Sequence, residues 1–181
     1  MNQSNLYDLI EASKRQDGNA FRTIVEHYQS MVYSLAFRLL CNEEDAKDAV
    51  QETFVRVWMN LSRYDAGKKF STWVYAIATH LCYDKLKFSK QHYGEISIDE
   101  TVKGILSSEN VEQQLINSEL ISLIVALTGT LTPKQKIVFT LRDLEELDME
   151  EVIQITGMSA QKVKSNLYLA RQAIRSKLNN Y

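Results

Sequence analysis

A chain of 181 residues, 45% of them hydrophobic, is long enough for one packed core or two small ones. No apolar run approaches the ~20 residues that cross a bilayer, and Met1-Asn2-Gln3-Ser4-Asn5 lacks the basic and apolar segments of a signal peptide, so a cytoplasmic chain without membrane insertion is expected. A net charge of −2 argues against a protein that coats nucleic acid indiscriminately.

Six Gly and one Pro leave long stretches free of both, so the expected fold class is all-α. Leu6, Leu9 and Ile10 start a short helix that stops at Asp17-Gly18. Phe21, Ile24, Val25, Tyr28, Val32, Leu35, Ala36 and Leu39 recur at helical spacing. Asn42 before Glu43-Glu44-Asp45 is a helix start with acids in the first turn. That third helix carries Ala46, Ala49, Val50, Thr53, Phe54, Val57 and Leu61. A loop from Ser62 to Lys69 holds the turn signal Asp65-Ala66-Gly67, and a fourth helix begins near Phe70.

From about Lys90 to Asn110 the periodicity stops, and the stretch reads as a linker, or alternatively as a surface loop within one domain. Fully extended, Tyr93 to Asn110 reaches roughly 60 Å. The expected organisation is two small helical domains joined by a flexible linker: residues 1–90, a linker at 91–110, and residues 111–181. In the second block Leu115, Leu120, Leu123, Ile124 and Leu127 mark one helix, which Gly129 ends. Thr132-Pro133 caps the next, with Ile137, Val138, Leu141 and Leu144 as its apolar stripe.

Cys41 and Cys82 are far apart and read as buried small hydrophobes. Neither pairs with His27, His80 or His92 at ligand-like spacing, and there is no Gly-rich phosphate loop. No metal, cofactor, small-molecule substrate or catalytic residue is expected.

The segment from Met149 to Leu178 is the most informative. A short helix ends at Thr156, Gly157 supplies a left-handed turn, Met158 can be buried there, and Ser159 caps the following helix. Val163, Leu167, Ala170, Ile174 and Leu178 form one apolar stripe. The other face shows Gln161, Lys164, Ser165, Tyr168, Gln172 and Arg175. From Gly157 to Tyr181 there are five basic residues and no acid, whereas Asp143 to Glu151 holds six acids. A helix-turn-helix with an apolar back and a basic, polar front suits the major groove. An ordinary amphipathic helix with a solvated basic face is the alternative.

These residues resemble the fourth conserved region of the sigma-70 family. Leu131-Thr132-Pro133 with Val138-Phe139, Glu151-Val152-Ile153 through Gly157-Met158-Ser159, and Val163-Lys164-Ser165 with Leu167 and Ala170-Arg171 carry the likeness. It implies −35 promoter contact by Gln161, Lys162, Lys164, Ser165, Asn166, Tyr168, Arg171 and Arg175. Asn166 stands where many relatives have Arg, which implies altered base preference.

The first block resembles the second conserved region of the same family. Gly18-Asn19-Ala20-Phe21 with Tyr28, and Asp45-Ala46-Lys47-Asp48 with Gln51-Glu52, Phe54 and Trp58, carry that likeness. It implies that Asp48, Gln51, Glu52 and Arg56 bind core RNA polymerase; the first three share one exposed polar face by spacing. Phe70-Ser71-Thr72-Trp73-Val74-Tyr75, Ile77-Ala78 and Asp84-Lys85-Leu86-Lys87 resemble the segment that opens and reads the −10 element. Tyr64, Lys68, Lys69, Phe70, Thr72, Tyr75, Thr79, His80 and Lys87 become −10 candidates, and the Tyr64–Lys69 loop becomes the candidate for capture of a flipped base. Trp73 shares a helix with Ile77 and Leu81 and reads as core rather than base platform. Ala76 and Thr79 stand where Arg is frequent and His80 where Asn is common, so weaker melting is implied.

Both regions in order, without the segments that primary sigma factors add, resemble the small extracytoplasmic-function (ECF) subgroup. The resemblance implies a non-catalytic polymerase subunit that recognises promoters, with core RNA polymerase, promoter DNA and an anti-sigma factor as partners. A free-standing helix-turn-helix regulator and a helical adaptor that binds no DNA are the competing readings.

Overall fold

The computed structural model describes residues 3–93, 123 and 125–179. The first block folds as α1 (Gln3–Lys14), α2 (Gly18–Leu40), α3 (Glu43–Asn60), a 3₁₀ turn (Leu61–Arg63) and α4 (Phe70–Tyr93). Local chemistry sets the starts. Asp17 caps α2 by accepting from the Asn19 and Ala20 amides, and Asn42 caps α3 by accepting from the Asp45 amide. Cys41, left-handed at φ 55°, ends α2 and turns the chain into α3.

The helix α2 is the spine of this block and packs against α1, α3 and α4. Ile24, Val32, Leu35, Ala36 and Leu39 are buried on it, opposite Ala46, Ala49, Phe54 and Val57 of α3 and Val74, Ala78 and Cys82 of α4. Each large aliphatic side chain buried in this way contributes about 1.5–3 kcal/mol.

The second block is α5 (Pro133–Phe139), a π-turn (Thr140–Leu144), α6 (Met149–Thr156) and α7 (Ala160–Leu178). Thr132 and Gln135 close a capping box on α5, and Asp148 and Glu151 close one on α6. The helix expected to run to Leu144 instead widens after Phe139, where the Glu145 amide reaches back to the Thr140 carbonyl at 2.9 Å. Gly157 is left-handed at φ 66°, as the tight turn requires, and Ser159 caps α7 by accepting from the Lys162 amide.

The buried stripe of α7 holds Val163, Leu167, Ala170 and Ile174. Leu178, expected on that stripe, is 52% exposed. Leu123 is also exposed, whereas Leu127 packs near Leu131, Ala170 and Ile174. The expected linker beyond Tyr93 and the apolar positions Leu115, Leu120 and Ile124 lie outside the described residues. Cys41 and Cys82 are buried and free, as expected of small hydrophobes.

The two blocks meet. The apolar cluster continues from Val74, Tyr75, Ala78 and Cys82 of α4 into Ile137, Val138 and Leu141 and on to Val152 and Ile155 of α6. Polar contacts flank it. Arg38 donates to the Leu144 carbonyl at 2.9 Å and to Glu145 at 2.5 Å, and the buried Lys136 ammonium lies 3.4 Å from Cys41 Sγ.

Candidate nucleic-acid interface

The front of α7 is open. Gln161, Lys162, Lys164, Ser165, Tyr168 and Arg175 are exposed, and Tyr168 has 67% of its surface free. The buried stripe behind them fixes this orientation, since residues three and four apart share a face. Two members of the expected set are not free. Asn166 is half-buried and donates to the Lys162 carbonyl at 2.8 Å. Arg171 makes a two-pronged pair with Asp143 at 2.6 and 2.8 Å, and that carboxylate holds the guanidinium proton more tightly still.

A second feature lies between α3 and α4, a cleft of about 280 Å³ lined by Arg56, Asn60, Arg63, Trp73, Ile77 and His80. Two guanidinium groups, an amide and an indole around one opening offer phosphate neutralisation together with an aromatic platform. The His80 ring is oriented by its Nδ1, 2.7 Å from the Ala76 carbonyl. A carbonyl only accepts, so Nδ1 carries hydrogen and the neutral ring keeps Nε2 as an acceptor.

Beside the cleft, the loop before α4 is braced by edge-on and tilted ring contacts. Tyr64 lies 5.0 Å from Phe70 and 5.2 Å from Trp73 between ring centroids, and its hydroxyl donates to the Lys68 carbonyl at 2.5 Å. Asp65 accepts from the Gly67 amide and shapes the turn. Tyr64 is half-buried in this cluster, and its burial pushes the phenol up from 10.0. The loop leaves Lys68 and Lys69 exposed, with Lys69 paired to Glu151 at 2.8 Å.

On α3, Asp48, Gln51, Glu52 and Arg56 are all exposed. Glu52 and Arg56 pair at 2.6 Å, so part of the expected acidic patch is locally neutralised. Val55 and Met59 extend the Asp48–Glu52 row at helical steps and are 56% and 73% exposed.

This geometry has relatives. Residues 24–91 match the model of Sigma-70 region 2, and residues 121–174 match that of Sigma-70, region 4. The ECF RNA polymerase sigma factor SigW of Bacillus subtilis (strain 168) is 32% identical over 178 residues, covering 94% of this chain and 95% of the relative. The chain belongs to the ECF sigma factors of the sigma-70 family. Two solved structures share its fold. CnrH, in complex with the cytosolic domain of CnrY, superposes with a TM-score of 0.70 at 19% identity over 99% of both chains. The sigma factor RpoE, in complex with the anti-sigma factor NepR from Bartonella quintana, gives 0.63 at 17% identity over 88% of this chain and 96% of that one.

Within this ECF sigma factor, four residues expected at the −10 element do not face solvent. Phe70, Thr72, Tyr75 and Thr79 are buried, at 3%, 6%, 7% and 3% exposure. Phe70 belongs to the ring cluster, and Thr72 and Thr79 face the interior of the helical block. Tyr75 is covered by the second block, where its hydroxyl donates to Glu145 at 2.8 Å. Burial and that bond push its phenol well above the ordinary value. His80 and Lys87 are exposed. Trp73 is neither fully core nor free, for it packs against the core and lines the cleft.

Sequence reasoning missed Asn60 and Arg63 at the cleft, and Val55 and Met59 on α3. Helical spacing held the signal: Arg56, Asn60 and Arg63 follow at steps of four and three, as do Trp73, Ile77 and His80. What spacing alone lacked was the knowledge that the two rows face each other.

Proposed function

We propose that this ECF sigma factor is a non-catalytic subunit that works with core RNA polymerase in the cytoplasm. It reads a −35 element with α7 and a −10 element with the α3–α4 cleft. The supporting observation is the division of α7 into a buried apolar back and an exposed front bearing Gln161, Lys162, Lys164, Ser165, Tyr168 and Arg175. Such a helix on a Gly157 turn enters a major groove, where amides and cations reach base edges and phosphates.

Residues 1–90 and 111–181 act as the two DNA-reading units, joined through 91–110. His80, Arg63 and Asn60, with the indole of Trp73, receive an unstacked base or its phosphate at the −10 site. Lys68, Lys69 and Lys87 neutralise the neighbouring backbone. The α3 row of Asp48, Gln51, Glu52, Val55 and Met59 docks on the polymerase, its apolar members supplying buried area and its acids complementing a basic surface. An anti-sigma factor is the expected regulator, in keeping with the RpoE fold relative bound to NepR.

Transcription in vitro tests the proposal. Purified chain with core polymerase should initiate at a cognate promoter, while the chain alone should bind duplex DNA poorly. Tight specific binding without polymerase would favour a free-standing regulator. No DNA association in either setting would favour a protein adaptor.

A further inference from the structure

Neither Cys41 nor Lys136 has a part in the proposed function. Both are covered, at 5% and 8% exposure. Cys41 stands at the left-handed end of α2 and Lys136 inside α5, 95 positions apart in sequence. The Lys136 ammonium donates to Cys41 Sγ at 3.4 Å, and the thiol in turn donates to the Arg38 carbonyl at 3.7 Å. A sulfur lone pair and an amine nitrogen therefore face each other.

Lysine is seldom buried, because its ammonium gives up water that new neighbours must replace. Among the described residues no carboxylate lies within ion-pair distance of Lys136. The acceptor it meets is a sulfur, which is a weak one. Ion pairing does not account for this lysine. What its position does achieve is contact between an amine and a thiol in a site largely closed to water.

We infer that Cys41 and Lys136 form a peroxide-responsive modification site, in which oxidation of the thiol joins sulfur to nitrogen as a reversible sulfenamide.

The co-reactant is hydrogen peroxide, and the steps balance. Cys41 attacks as the thiolate, its proton having passed to solvent. The sulfur bonds to one peroxide oxygen, the O–O bond breaks, and Cys41 becomes a sulfenic acid. The departing hydroxide takes a proton from the Lys136 ammonium and leaves as water. A neutral amine now stands beside an electrophilic sulfur. Its lone pair forms the S–N bond, the S–O bond breaks, and the second hydroxide takes another proton from nitrogen and leaves as water. One peroxide is reduced to two waters, and the sulfur is oxidised by two electrons.

Proximity selects this product. A sulfenic acid condenses with a thiol or nitrogen within reach, and an amine already in contact reacts as an intramolecular partner. The flexible four-carbon stem of lysine supplies the remaining approach. Cys41 ends a helix, so peroxide reaches Sγ by opening of one terminal turn rather than of the core. Cys82 lies in the interior of α4 and serves as the internal comparison. The inference does not depend on the proposed function, and its readout is covalent.

The test treats the native full chain with excess hydrogen peroxide at neutral pH, alkylates it in denaturant and digests it with trypsin. Mass spectrometry should find the Cys41 peptide joined to the Lys136 peptide, two hydrogen atoms lighter than their sum. Dithiothreitol should release the two peptides. Lys136→Arg keeps the positive charge and removes the amine, so the joined peptide should be lost from that variant. Oxidation of Cys41 to sulfinic acid with no joined peptide would overturn the inference. So would a Cys41 that stays unoxidised, or a disulfide to Cys82 in place of the sulfenamide. A joined peptide that persists in Lys136→Arg would assign the bond to another amine and overturn it as well. The masses from the unsubstituted chain decide the matter if Lys136→Arg loses its helical circular dichroism.

Discussion

Arg38 and Glu145, 107 residues apart in sequence, meet at 2.5 Å where α2 of the first block touches the end of the π-turn in the second. The guanidinium also caps the Leu144 carbonyl, and the same carboxylate accepts from Tyr75. One acid thus joins a helix, a turn and an aromatic ring.

Replacing Arg38 by Ala should therefore destabilise the fold. Arg38 is one-third exposed and solvent screens part of the pair, so a loss of about 1–2 kcal/mol is expected rather than the larger cost of a fully buried charge. Urea unfolding of the single variants and of the Arg38→Ala/Glu145→Ala double variant measures it. Strict additivity across that cycle would mean that the pair contributes nothing.

Lys164→Glu places an acid on the exposed front of α7 without touching its buried stripe. Promoter binding by the holoenzyme should weaken about tenfold, and affinity for core polymerase should be unchanged. Promoter retention and a core pull-down separate the two. Equal loss in both assays contradicts the assignment of α7.

Glu52→Arg reverses a charge in the exposed α3 row and sets it beside Arg56. Core-polymerase affinity should fall about tenfold. Met59→Ala should also weaken it while leaving thermal stability within about 0.5 kcal/mol, because the side chain is 73% exposed in the free chain. Unchanged affinity in both variants would remove α3 from the polymerase interface.

Gly157→Ala tests the helix-turn-helix turn. No atom outside the two adjoining residues lies within 4 Å of an added Cβ, so the cost is conformational, about 1–2 kcal/mol for a left-handed backbone at φ 66°. Denaturant titration should show that loss and no change in the slope of the unfolding curve. A stabilised variant would mean that the turn is not left-handed in solution.

Burial pushes the Cys82 thiol up to about 12 from its ordinary 9.0. The folded chain holds this proton more tightly than the unfolded chain. The contribution to stability is complete below pH 9 and is lost as pH rises from 9 toward 12. Cys82→Ala should flatten that part of the stability profile. In native protein at pH 8, Cys82 should also resist iodoacetamide until denaturant is added, as mass spectrometry can read directly.

Local features are legible in the sequence by itself. Asn42, Thr132, Ser159 and Gly157 mark helix ends because a cap or a left-handed turn involves groups two to four residues apart, and that distance is written along the chain. The back and front of α7 follow from a period of 3.6 for the same reason, and of its expected stripe Leu178 alone is exposed. The family likeness rests on these same local patterns.

Tertiary structure alone decided which polar residues on α4 meet solvent. Tyr75 and His80 both lie on α4, yet Tyr75 is covered by Glu145 and His80 opens onto a cleft with Arg56 and Arg63. It also turned the acidic run at Asp143–Glu151 from apparent surface charge into partners for Arg171, Tyr75 and Lys69. Periodicity tells which residues share a face of one helix. Which faces come together depends on summed apolar burial across the whole chain, a quantity that no local spacing contains.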